Sequence, residues 1–150
     1  MKKMLVGLFV GLALLSFQGP ASAVNVGLEL TLLVDVSGSI SASEFNLQTD
    51  AYAAAFKSAA VQNAIALNPT GSIAANMIMW SSDNQQSQVV GWTLIDGAAS
   101  ANAFADAIAA VVRPYSGNTA VQSALNFAAG NISLTNGFDS LRQVLDVSGD

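Results

Sequence analysis

The chain has no cysteine and no histidine, and only 10% of its 150 residues are charged. Without cysteine there is no disulfide, so folding rests on a hydrophobic core. Without histidine there is no Ser-His-Asp relay, no imidazole acid–base catalyst, and none of the usual zinc, copper or haem sites. A metal bound here would be held by oxygens alone, which selects hard cations: Mg2+, or Mn2+ or Ca2+ in its place. Basic residues are scarce, five against ten acids, and two of the five are Lys2 and Lys3. These open a segment with the pattern of a secretory signal peptide: a positive start, an apolar run from Met4 to Phe17, and Ala21-Ser-Ala23 as an A-x-A cleavage site. The run falls short of the roughly 20 residues that span a bilayer. Removing residues 1–23 leaves Lys57, Arg113 and Arg142 as the cations and moves the formal net charge from −5 to −7. Three scattered cations make no basic patch, which excludes nucleic acid as a partner. The expected product is secreted or periplasmic, with no transmembrane span after cleavage.

What is present reads as one domain of alternating strands and helices. Leu28 to Val34 is almost continuously apolar, the pattern of a strand buried on both faces. Ser41-Ala-Ser-Glu44 has capping-box spacing and starts a helix from Ala42 to about Lys57, followed by a short helix over Val61–Leu67. Asn68-Pro-Thr-Gly71 is a turn. Ser72 to Trp80 and Ser87 to Ile95 read as strands joined by the polar hairpin loop 81–86, so the later one is antiparallel. A helix is expected over Ser100–Val112, stopped by Pro114, and another from Gly117 to about Ala129, closed by Gly130-Asn131. Leu141 to Val147 is the fourth strand, and with no covering helix after it the domain is expected to continue past residue 150. The fold class is α/β, a Rossmann-like three-layer sandwich with a mostly parallel sheet and one antiparallel edge strand. Trp80 and Trp92 are expected to pack against helices, and Asp83 and Asp96 to serve turns.

Following the chain up and down such a sheet brings three polar loops to one end. They are Asp35-Val-Ser-Gly-Ser39, Gly117-Asn-Thr119 and Ser148-Gly-Asp150. This is the carboxyl end of the parallel strands, where open α/β sheets bind ligands. Two carboxylates meeting there would repel unless a cation lay between them, and the hydroxyls of Ser37, Ser39 and Thr119 supply neutral oxygens. The other use of such residues is helix capping and turn hydrogen bonding.

Asp35-x-Ser37-x-Ser39 after a hydrophobic strand, with Thr119 in Gly-Asn-Thr-Ala and a late Asp150, resembles the von Willebrand factor A-like domain family. The stretches Met-Ile-Met-Trp-Ser-Ser, Val-Val-Gly-Trp-Thr-Leu-Ile-Asp-Gly and Val-Leu-Asp-Val-Ser-Gly-Asp are similar to a secreted bacterial branch of it without an assigned function. The resemblance spans Val26 to Asp150. It implies strand order 3-2-1-4, with later strands beyond this chain. It also implies a metal-ion-dependent adhesion site of Asp35, Ser37, Ser39, Thr119 and Asp150, in which Mg2+ is completed by a carboxylate of a protein or surface ligand. The family's third loop usually reads Thr-Asp-Gly where this chain has Ser-Gly-Asp, and Asp146 competes with Asp150 for the third-loop acid.

The expected function is therefore that of an exported metal-dependent binding or adhesion module, not an enzyme. One alternative is a Mg2+-dependent phosphohydrolase with Asp35 as nucleophile. Such enzymes usually carry a second acid two residues on, where this chain has Ser37, and no Gly-x-x-x-x-Gly-Lys-Ser/Thr phosphate loop is present. The other is a purely structural metal-stabilised domain.

Overall fold

The structure, a computed structural model, describes residues 22–133 and 136–149. The expected signal peptide, but for its last two residues, and Asp150 lie outside the described residues. In chain order the elements are β1 (Val24–Asn25), β2 (Glu29–Asp35), α1 (Ala42–Lys57), α2 (Ala59–Ala66), β3 (Ile73–Trp80), β4 (Gln86–Ile95), α3 (Ala98–Ala109), α4 (Val121–Ser133), β5 (Phe138–Asp139) and β6 (Gln143–Ser148).

The main sheet has the order β4-β3-β2-β6. β2 is parallel to both neighbours and β4 is antiparallel to β3. This is the order that the resemblance implied and the single antiparallel edge that the hairpin loop predicted. β2 and β3 are buried on both faces, which is why their sequences run apolar without alternation. Alternate residues nevertheless part company. Leu32 and Val34, with Ala75, Met77 and Met79, meet α1 and α3 on one face. Leu33, Ile78 and Trp80 meet Ala124 and Ala128 of α4 on the other. Trp80 is thus a core residue beneath α4, as expected.

α1 begins where the sequence placed it. The Ser41 hydroxyl accepts the Glu44 N–H at 3.3 Å and the Glu44 carboxylate accepts the Ser41 N–H at 2.7 Å. The nearby Ser41 hydroxyl first, and the Ser41 N–H with it, hold the Glu44 carboxyl below its ordinary pKa. The helix then turns Phe45, Thr49, Ala53 and Phe56 onto the sheet. Replacing the cap by Ser41→Ala should cost about 1 kcal/mol in urea unfolding with an unchanged slope, since no core atom is lost.

The structure moves the boundaries of α3, α4 and β6 and adds a strand pair. α3 starts two residues before Ser100, because the Ser100 hydroxyl accepts the N–H groups of Asp96 and Gly97 at 3.0 and 3.2 Å. It stops at Ala109, short of Val112, and the residue before Pro114 is disfavoured from helix in any case. α4 starts at Val121 rather than Gly117, because residues 118–120 are tied to the hairpin loop. Nor does it close at Gly130-Asn131. It runs on to Ser133, with the Asn131 side chain bonded to Asn76, Gln88 and Trp92 on the sheet. β6 covers Gln143–Ser148 instead of Leu141–Val147: Leu141 is fully exposed, while Ser148 pairs with Val34. The short parallel pair β1–β5 carries no pattern that two residues could show in sequence.

Candidate metal centre

β2 delivers Asp35 to the top of the sheet, on the α4 side by its alternation with Leu33, and the side chain is fully buried. Its Oδ1 accepts the Ser37 N–H at 2.7 Å, which bends the chain across the strand end. Its Oδ2 is buried with no hydrogen-bond partner. Ser37 is buried too, and its hydroxyl lies 3.2 Å from that of the exposed Ser39.

The second loop is docked on the first. The Gly38 N–H donates to the Gly117 carbonyl at 2.7 Å. A β-carbon on Gly38 would stand 3.2 Å from the Ser116 carbonyl oxygen and 3.3 Å from that of Gly117, so the two backbones cross closely. The β3–β4 hairpin clamps the other side: the Ser81 hydroxyl donates to the Asn118 carbonyl at 3.0 Å, and the Asn118 N–H donates to the Ser82 hydroxyl at 2.8 Å. Gly117 is pressed against this clamp, where a β-carbon would collide with Ser82 and Gln85 side-chain oxygens. Thr119 follows on this loop, exposed.

The end of β6 supplies the third approach. A β-carbon on Gly149 would lie 3.1 Å from Asp35 Oδ2, so the chain leading to residue 150 passes directly over the unpartnered oxygen. The proposed Asp150 lies outside the described residues. The competing Asp146 sits in the body of β6 opposite Leu32, three residues below the level of Asp35, about 10 Å at the usual strand rise. It accepts the Tyr52 hydroxyl at 3.1 Å on the α1 side. Burial pushes the Tyr52 phenol above its ordinary pKa, the Ser148 hydroxyl acts against that shift, and the Asp146 carboxylate adds to it. The structure therefore gathers Asp35, Ser37, Ser39 and the loop bearing Thr119 at one end, and leaves Asp146 away from them.

Three contributors escaped the sequence reading. Ser81 and Ser82 clamp the second loop, and Arg113 grips the first. The Arg113 Nη2 donates to the Val36 and Ser37 carbonyls at 2.9 and 2.6 Å, and its Nε donates to the Tyr115 carbonyl at 2.9 Å. The available signal was that Arg113 is one of three cations after the signal segment and stands between a helix and Pro114.

The residues fit a hard divalent cation. A buried carboxylate oxygen without a partner costs several kcal/mol, which a cation against it would offset. Neutral hydroxyls beside it complete an oxygen-only donor set, the kind Mg2+ and Mn2+ take. Among the described residues no three acidic side chains come together, so any cation would be shared between few negative charges.

No curated protein matches the chain. Among the solved structures similar to it are two of one pilus protein. One holds three N-terminal domains of the type V pili tip protein Mfa5 from Porphyromonas gingivalis, at 14% identity and a TM-score of 0.49, over 84% of this chain and 20% of that one. The other is the vWF domain of the same pilus protein, at 12% identity and a TM-score of 0.47, over 82% of this chain and 37% of that one. The chain thus spans well under two thirds of either. A family described as a protein of unknown function, DUF1194, matches residues 25–150 and takes in every loop described above; the chain belongs to that family.

Proposed function

We propose that the protein is an exported binding module of the von Willebrand factor A-like type, dependent on a divalent metal. The observation that carries this reading is the buried, unpartnered Asp35 Oδ2 at the carboxyl end of the parallel strands. Asp35, Ser37, Ser39 and Thr119 would hold Mg2+ or Mn2+, with Asp150 as the third-loop acid. Bound there, the metal would supply an electron-poor centre open to an outside carboxylate, which makes a protein or surface ligand with an exposed Asp or Glu the partner.

The chain's own part is positional. Asp35 is held by the Ser37 N–H, Ser37 and Ser39 are held by each other, and the second loop is locked by the Gly38–Gly117 bond and the Ser81–Ser82 clamp. The exposure of Ser39 and Thr119 gives a partner access from solvent. Hydrolysis is the weaker reading, because position 37 offers a hydroxyl rather than a second acid and the chain has no histidine to act as a general base near neutral pH. No described helix is long and apolar enough to cross a membrane.

A Mg2+ titration followed by thermal unfolding tests the reading. The unfolding temperature should climb with the logarithm of free Mg2+, reaching about 2.7 kcal/mol of added stability at a hundred times the dissociation constant. An unfolding temperature indifferent to both Mg2+ and Mn2+ would reduce the Asp35 loop to a turn.

A further inference from the structure

We propose that Arg113 is a positioning residue for the metal loops, an inference that rests on the metal reading above. Its guanidinium meets two successive carbonyls of the first loop, Val36 and Ser37, and one of the segment leading to the second, Tyr115. The Tyr115 hydroxyl is in turn hydrogen-bonded to Ser87 on β4, so that segment is itself fixed to the sheet. Among the described residues the one ion pair is Lys57–Asp106, so Arg113 spends its charge on backbone carbonyls and not on an acid. Charge-assisted bonds of this kind are short and strong, and the planar fork of arginine can serve neighbouring oxygens at once where an ammonium is a point charge.

Two consequences follow for a cation. The carbonyls of residues 36 and 37 are turned to the guanidinium, which leaves the Asp35, Ser37 and Ser39 side chains as the loop's donors. The loops bearing Ser37 and Thr119 are joined at a fixed separation before a metal arrives, so less ordering remains to be done on binding. The charge itself works the other way, since a guanidinium close to the loop repels a cation. Positioning and repulsion therefore predict opposite signs when the residue is changed.

The experiment is calorimetric titration of Mg2+ into the purified protein, Arg113→Lys and Arg113→Met, with unfolding temperatures measured in EDTA alongside. Arg113→Lys keeps the charge and loses the fork; Arg113→Met loses both. Both should bind Mg2+ at least tenfold more weakly than the wild type. Ser58→Ala, which removes the hydroxyl cap of α2 at the far end of α1, should lower the EDTA unfolding temperature and leave the Mg2+ affinity unchanged. Mg2+ binding by either Arg113 variant as tight as in the wild type, or tighter, overturns the proposal while leaving the metal site standing. A wild type that binds no Mg2+ overturns the metal reading itself, and this inference with it.

Discussion

Phe104→Ala should cost about 3–5 kcal/mol of folding stability, the range for truncating a buried phenylalanine. Phe104 projects from α3 into the larger core cluster and is 1% exposed. Its ring meets Phe56 of α1 edge to face, with centroids 4.8 Å apart and planes at 76°. That pair joins the two helices that cover one face of the sheet, and edge-to-face aromatic contacts add about 0.5–1.5 kcal/mol beyond the area they bury. Alanine would leave a void in this cluster. With a urea slope of about 1–3 kcal/mol/M, the midpoint should fall by at least about 1 M. A fall no larger than that of Ser41→Ala would mean that α3 does not pack as described.

Asp35→Asn should separate folding from binding more sharply than any other substitution. Asparagine keeps the shape and the oxygen that accepts the Ser37 N–H. It replaces the buried, unpartnered Oδ2 with an amide. In EDTA the exchange removes a buried charge worth several kcal/mol of desolvation and leaves an unpaired N–H group worth about 1–3 kcal/mol. The metal-free variant should therefore unfold no lower than the wild type. Its response to Mg2+ should vanish, with affinity down by at least about a hundredfold, since that carboxylate is the described acid at the site. Asp35→Asn that unfolds far below the wild type in EDTA would instead make Asp35 a structural turn residue.

The sheet was legible because β2 and β3 are buried on both faces, and strands so placed carry nearly continuous apolar runs that no solvent-facing alternation obscures. The start of α1 was legible because capping is local chemistry, set by Ser41 and Glu44 three residues apart. The start of α4 was not, because the residues before Val121 answer to partners far off in sequence, Ser81 and Ser82. The same holds at its other end, where Gly130-Asn131 spells a stop but the Asn131 amide is taken up by Asn76, Gln88 and Trp92. For the site, the residues that would touch a metal have a spacing that can be read from the chain. Those that hold them, Arg113 above all, act through backbone carbonyls, which leave no mark on the sequence of their partners.

The pairing of β2 has a consequence for how the protein is made. Glu29 is registered with Ala74 on one side and with Gln143 on the other, and both ladders are parallel. A parallel neighbour cannot come from an adjacent turn of chain, so the central strand waits for segments tens of residues away, and then for one more than a hundred away. Among the described strand pairs of the main sheet, the β3–β4 hairpin alone is available early, from contacts local in sequence. Chains dominated by distant pairings fold slowly, because each long loop must close before its contacts repay the lost entropy. The Asp35 oxygen and Gly149 meet only when that last ladder has zipped to its upper end. While a nascent chain is still emerging, the Asp35 loop therefore lacks its β6 side, and the proposed affinity for a cation would arise only once β6 is in place.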